Sequence, residues 1–133
     1  MKNEFVEIAV ANLQKNARIN AKWKKHISQE IDGKLEIQAG NKIIMLNAIL
    51  RDEINEEDLN EIYKLAVKYV QFVVITKTIS PKTKEFLRQV HVSHLEKNGN
   101  FFLEQKNIFI LIEKNHTETE DGLSQKNLLQ NLG

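Results

Sequence analysis

Five consecutive residues, Phe72-Val-Val-Ile-Thr76, run with no polar alternation. A strand that reads as a continuous apolar run is covered on both faces, so the chain needs helices on two sides of a sheet, with this segment near its middle. The next elements follow with almost no linker. Ser80-Pro81 pairs a capping side chain with the residue best tolerated at the first helical position, which opens a helix reaching about Val90. Asn98-Gly99, between two β-rich runs, is the dipeptide of a type I′ hairpin, and Lys106-Asn107 makes a last turn before Ile108-Phe-Ile-Leu-Ile112. Strand, helix and hairpin in that order form the back half of a small α/β domain.

The front half reads as readily. Phe5, Ile8, Ala9, Asn12 and Leu13 fall at helical spacing with Val6 beside them, which predicts an amphipathic helix over residues 3–16. From Ile19 the period changes to two. Ile19, Ala21, Trp23 and Lys25 share one face and Asn20, Lys22 and Lys24 the other, the pattern of a half-solvated strand. Turn signals at Asp32-Gly33 and Gly40-Asn41 bracket the alternating Leu35, Ile37 and Ala39. Residues 42–51 continue as a long strand, apolar on both faces at Ile43-Ile-Met-Leu46, so the second strand of this hairpin lies deeper in the sheet. Asn55 caps a helix whose first turn holds Glu56, Glu57 and Asp58, where the helix dipole favours carboxylates. Its buried face is expected from Leu59, Ile62, Tyr63, Ala66 and Tyr69 or Val70. The predicted order is α-β-β-β-α-β-α-β-β-β, an α/β fold with a mixed central sheet flanked by helices.

A chain of 133 residues is the size of one domain. That domain is expected over residues 1–113, because after Glu113 the composition turns polar and unpatterned, with only Leu123, Leu128, Leu129 and Leu132 as apolar anchors. Residues 114–133 are expected to form a mobile tail. With no cysteine there is no disulfide, thiolate zinc site or cysteine nucleophile, which fits a reducing, cytoplasmic location. The acidic, polar start is no signal peptide, and no apolar run approaches the roughly 20 residues of a membrane span, so no membrane is expected as a partner. A net charge of +1 leaves any case for nucleic acid to local clusters.

The helix, antiparallel meander and helix-strand crossover together resemble the restriction-endonuclease-like core of the PD-(D/E)xK superfamily. A narrower resemblance is carried by Ile79-Ser80-Pro81 and by Leu95-Glu96-Lys97-Asn98-Gly99-Asn100, with the strands before and after them. A strand leading to a hydrophobic-Ser/Thr-Pro helix start, then a Leu-Asp/Glu-x-x-Gly-Asn hairpin, is similar to the N-terminal region of AbiEi-type antitoxins and related transcriptional regulators of type IV toxin-antitoxin systems. The match covers roughly residues 10–113. It implies a bacterial regulator with a nucleotidyltransferase toxin as its functional counterpart. Such regulators usually continue into a winged-helix DNA-binding region, and the departure here leaves a truncated chain, a short family member or a degenerate copy as the alternatives.

A nuclease of this superfamily needs two acids to hold a divalent metal and a lysine to orient water. Asp32 or Glu36 suits the first acid, but the acid-x-lysine position falls near Asn47-Ala48-Ile49-Leu50-Arg51, where neither an acid nor a lysine is present. Asp52 and Glu53 are substitutes displaced toward the strand end. The expectation is therefore a degenerate, non-enzymatic domain with no cofactor. The alternative is a metal-dependent DNA nuclease using Mg2+ at Asp32, Glu36, Asp52 and Glu53. His26, His91, His94 and His116 do not complete a tetrahedral ligand set. No serine sits in a nucleophile elbow and no glycine-rich phosphate loop is present. Two basic clusters are candidate DNA contacts: Lys22, Lys24 and Lys25 around Trp23 with Arg18, and Lys77, Lys82, Lys84 and Arg88 along the Ser80 helix. The residue 108–112 strand, if it lies at an edge, also suits pairing with another copy, a homo-oligomer.

Overall fold

The computed structural model describes residues 4–16, 18–26, 28, 30–105 and 107–113. The expectations placed on residues 114–133, on His116 and on the start of the chain lie outside these residues.

The elements are α1 (Glu4–Leu13), β1 (Ile19–Lys25), β2 (Gly33–Ala39), β3 (Lys42–Arg51), α2 (Glu56–Lys68), β4 (Phe72–Thr76), α3 (Pro81–Gln89), β5 (Ser93–Glu96), β6 (Phe101–Gln105) and β7 (Ile108–Ile112). The seven strands form one sheet whose spatial order is their sequence order. β3, β4 and β5 run parallel, and the flanking pairs β1/β2, β2/β3, β5/β6 and β6/β7 are antiparallel. Two successive parallel crossovers advancing in one direction, each right-handed, put their helices on the same face. Accordingly α2 and α3 share one apolar layer with Ile49, Phe72 and Val74, while α1, alone among the described helices, packs the other face against Leu35, Ile37, Leu46, Leu50, Val73, Ile75 and Leu103. β4 is the fourth of seven strands and buried at every residue, as its unbroken apolar run requires.

The sheet curls around α1. Lys42 at the start of β3 donates to the carbonyl of Asn107 in the β6/β7 turn. In a flat sheet three or four strand spacings would separate these residues by about 15 Å or more.

Local chemistry accounts for most boundaries. Ser80 Oγ accepts from Thr83 N–H at 3.2 Å with Pro81 following it. Asp58 Oδ2 accepts from Asn55 N–H at 2.8 Å, tying the first turn of α2. Gly40, at φ +63°, permits the two-residue turn between β2 and β3. At the end of α3, Val92 N–H donates to Leu87 carbonyl and His91 N–H to Arg88 carbonyl, with His91 at φ +63°. These are the paired bonds of a Schellman motif, and Leu87 and Val92 add its apolar contact in the same buried cluster.

Three details differ from the sequence reading. The turn at Asn98-Gly99 is not type I′, which needs positive φ at both central residues. Gly99 has φ +97°, but His91 is the only non-glycine with positive φ among the described residues. Gly99 N–H donates to Glu96 carbonyl and Glu96 N–H to Asn100 carbonyl, the bonds of a three-residue loop closed by a glycine bulge. Its tip rests on α1, where Asn12 Nδ2 donates to Lys97 carbonyl at 2.8 Å. In α2 the buried residues are Ile62 and Leu65, whereas Tyr63 and Val70 are exposed. In α1, Ile8 is exposed and Val10 takes its place in the core. Each helix has more apolar positions than one stripe holds, so packing chose the phase.

Candidate nucleic-acid interface

Asp32 and Arg51, taken from the sequence as a candidate acid and the end of the acid-x-lysine position, lie where β2 begins and β3 ends. Asp32 Oδ2 accepts from Leu50 N–H at 2.8 Å, and Asp32 N–H donates to Ala48 carbonyl at 2.9 Å, so this carboxylate stitches the two strands. Arg51 sits 3.9 Å from Asp32 and 3.8 Å from Glu61 on α2, and donates to Leu50 carbonyl. Two residues back on the same face, Ile49 is fully buried in the helix layer. At the acid-x-lysine position expected from the sequence, an aliphatic side chain and a guanidinium therefore stand.

The other candidate acids lie apart from Asp32. Glu36 is four residues along β2, about 13 Å away at strand rise, opposite Met45 and Lys22. Asp52 has its carboxylate 3.8 Å from Lys77, and its carbonyl accepts from Lys77 N–H and Thr76 Oγ1, which ties the exit of β3 to the loop after β4. Glu53 is exposed. Among the described residues, no three histidine, aspartate or glutamate side chains gather as metal ligands would.

Beside Arg51, the exposed Glu30 accepts from Lys68 Nζ and Tyr69 Oη, both at 2.8 Å. These bonds hold its carboxyl below the usual carboxylate range and raise the Lys68 ammonium and Tyr69 phenol.

The two basic clusters have opposite surroundings. Along α3 every cation meets a carboxylate from another element: Lys77 meets Asp52, Lys82 lies 3.9 Å from Glu56, Lys84 lies 2.7 Å from Glu96, and Arg88 lies 2.7 Å from Glu113. The Lys84 and Glu96 side chains are 17% and 5% exposed, and Glu96 also accepts from Ile79 N–H, so this pair fastens the helix entrance to β5. Arg88 further covers the ring of Phe102. Lys84 and Arg88 act as fasteners, whereas the Lys77–Asp52 and Lys82–Glu56 pairs are longer and largely exposed to solvent.

On β1 and β2 the arrangement is reversed. Lys22 and Lys24 point to the face away from α1, and register places Lys24 directly opposite Lys34 and Lys22 opposite Glu36. Lys25 ends the strand opposite Gly33. Among the described residues, none of Lys22, Lys24, Lys25 or Lys34 has a carboxylate within ion-pair distance. Like charges directly opposite across a pair are destabilising by tenths of a kcal/mol to about 1 kcal/mol. Lys34 was not singled out from the sequence; its alternation with Leu35 and Ile37 gave its face, but only register brings it to Lys24. Arg18 is exposed in the turn before β1.

Trp23 is half-buried against the α1 core, and a Cβ at Gly33 would lie 2.4 Å from its ring. It is a packing residue, held flat by the absence of a side chain beneath it.

The histidines divide similarly. His91 is exposed with Nδ1 3.0 Å from Glu104. His94 is buried, donates from Nδ1 to Val92 carbonyl and stacks on Phe102 with ring centroids 5.2 Å apart. Burial pushes its imidazole pKa down to about 4, the Val92 bond opposing and the nearby Arg88 and Lys84 adding to the shift.

Comparison of the chain with family models, curated proteins and solved structures gives no match.

Proposed function

We propose that this chain is a non-enzymatic regulatory module with a restriction-endonuclease-like core, resembling the N-terminal region of an AbiEi-type antitoxin, that contacts DNA in the bacterial cytoplasm. The observation that carries the reading is the set Lys22, Lys24 and Lys34 on one sheet face, with Lys24 and Lys34 in register and, although Glu36 stands opposite Lys22, no carboxylate within ion-pair distance among the described residues. Phosphate contacts of this kind are salt-dependent and blind to sequence. Ile49 and the Asp32–Arg51 pair favour a regulator over a nuclease, since the acid that would bind metal is engaged by a cation from its own chain. On this reading the functional counterpart is a nucleotidyltransferase toxin, and its gene beside this one would support it.

The test is duplex binding against salt. If the β1 and β2 lysines make the contacts, the slope of log K against log salt is about −3, and Lys22→Ala with Lys24→Ala and Lys34→Ala removes most of it. No binding at low salt, or binding unchanged in the triple variant, removes this reading. Plasmid incubated with magnesium or manganese is expected to stay intact. Cleavage that disappears with Asp32→Ala and Glu36→Ala would establish the nuclease instead.

A further inference from the structure

The sheet has two outer strands, β1 and β7, and β7 pairs only with β6 among the described residues. Its five residues, Ile108-Phe-Ile-Leu-Ile112, include no charge, proline or glycine, the devices that normally blunt a sheet edge. Ile108, Ile110 and Ile112 face the α1 core and are half-buried, whereas Phe109 and Leu111 lie on the other face, 62% and 47% exposed. Phe109 meets Phe102 edge-on at 5.8 Å, so the exposed ring is continuous with buried apolar surface.

We infer that β7 is a dimerisation edge that pairs antiparallel with β7 of a second copy, about a two-fold axis through Ile110. A second copy fits because the strand is complementary to itself. In the one register that overlaps all five residues, Ile108 stands opposite Ile112 of the copy, Phe109 opposite Leu111, and Ile110 opposite its equivalent. Each face of the seam is then apolar against apolar. Glu113, the one charged residue among 107–113, falls opposite Asn107 of the copy and meets no like charge. Other registers that keep the faces matched leave part of β7 unpaired. The contact is one strand and four flanking rings or branched side chains, at the low end of specific interfaces, so the dimer is concentration-dependent. A two-fold normal to the sheet leaves the lysine faces of both copies on one side, but the pairing does not depend on the DNA reading.

Sedimentation velocity of the full chain over a micromolar concentration series tests this. The expected result is a shift from monomer to dimer that is lost in Phe109→Lys with Leu111→Lys, two exposed positions whose change should leave the circular dichroism spectrum intact. Because the chain has no cysteine, Ile110→Cys should form a disulfide-linked dimer under oxidation and Ile43→Cys, on the exposed face of β3, should not. A wild-type monomer throughout overturns the proposal, and if its β7 amides are nonetheless protected from exchange, another segment of the chain covers the edge. A dimer that survives the double lysine variant, or cross-links equally at residue 43, overturns it as well.

Discussion

The two edges of this sheet are built oppositely. β1 presents Asn20, Lys22 and Lys24 on its outer face and ends in Lys25, whereas β7 presents isoleucine, leucine and phenylalanine on both faces. A lysine-rich edge strand resists pairing with other strands because desolvating ammonium groups is unfavourable, and the same charges suit a polyanion. An uncharged edge has no such barrier. On the two proposals above, each partner class has its own margin of the sheet.

The largest expected effect sits on the β7 side. His94 stacks on Phe102, whose far side meets Phe109. Its folded pKa of about 4 lies below the ordinary 6.5. The unfolded chain therefore binds the proton first as pH falls, and the fold loses stability from about pH 6.5 down to about 4. The full loss is on the order of 3 kcal/mol. Urea denaturation across that window should show the slope, and His94→Leu, which takes up no proton, should flatten it. Hydrogen exchange should show β5, β6 and β7 loosening before β1 and β2; uniform loosening would break the contrast between the two margins.

Next is Gly33 beneath Trp23 at the β1 margin. A Cβ there would lie 2.4 Å from the indole and 2.7 Å from the Lys24 carbonyl, so both ring and backbone must move. Gly33→Ala is expected to destabilise by about 2 kcal/mol, read by thermal denaturation, with a red-shifted tryptophan emission. It should leave β7-mediated association unchanged.

The smallest effect is the most discriminating. Lys24→Glu replaces a like-charge pair with Lys34 by an opposite one, and should stabilise the fold by about 0.5 kcal/mol while weakening duplex binding at low salt. Equal binding would make the lysine face merely a solvated edge.

Much of the architecture was legible because it rests on neighbours in sequence. Ser80-Pro81 and Asn55 gave the helix starts, Gly40-Asn41 gave the tight turn, and the apolar run at Phe72–Thr76 gave the central strand. The phase of α2 was not legible, since Tyr63, Val67 and Val70 have much the same hydropathic claim to the core as Ile62 and Leu65. The hairpin at Asn98-Gly99 was legible as a turn but not as its type, because contact of its tip with α1 helps decide it.

The candidate site shows the same division. The sequence alone determined that two basic clusters exist, that residues 47–51 hold neither an acid nor a lysine, and that β1 and β7 differ in charge, because these are matters of residue identity and period. Only the tertiary structure decided which of these cations meet a carboxylate at close range. Lys84 is paired with Glu96 on β5 and Arg88 with Glu113 beyond β7, both at 2.7 Å, while Lys24 is set against Lys34 and Lys22 faces Glu36. Charge in a sequence is a sum over residues, but the field at a surface depends on distances between side chains, and those are set by strand register and helix packing.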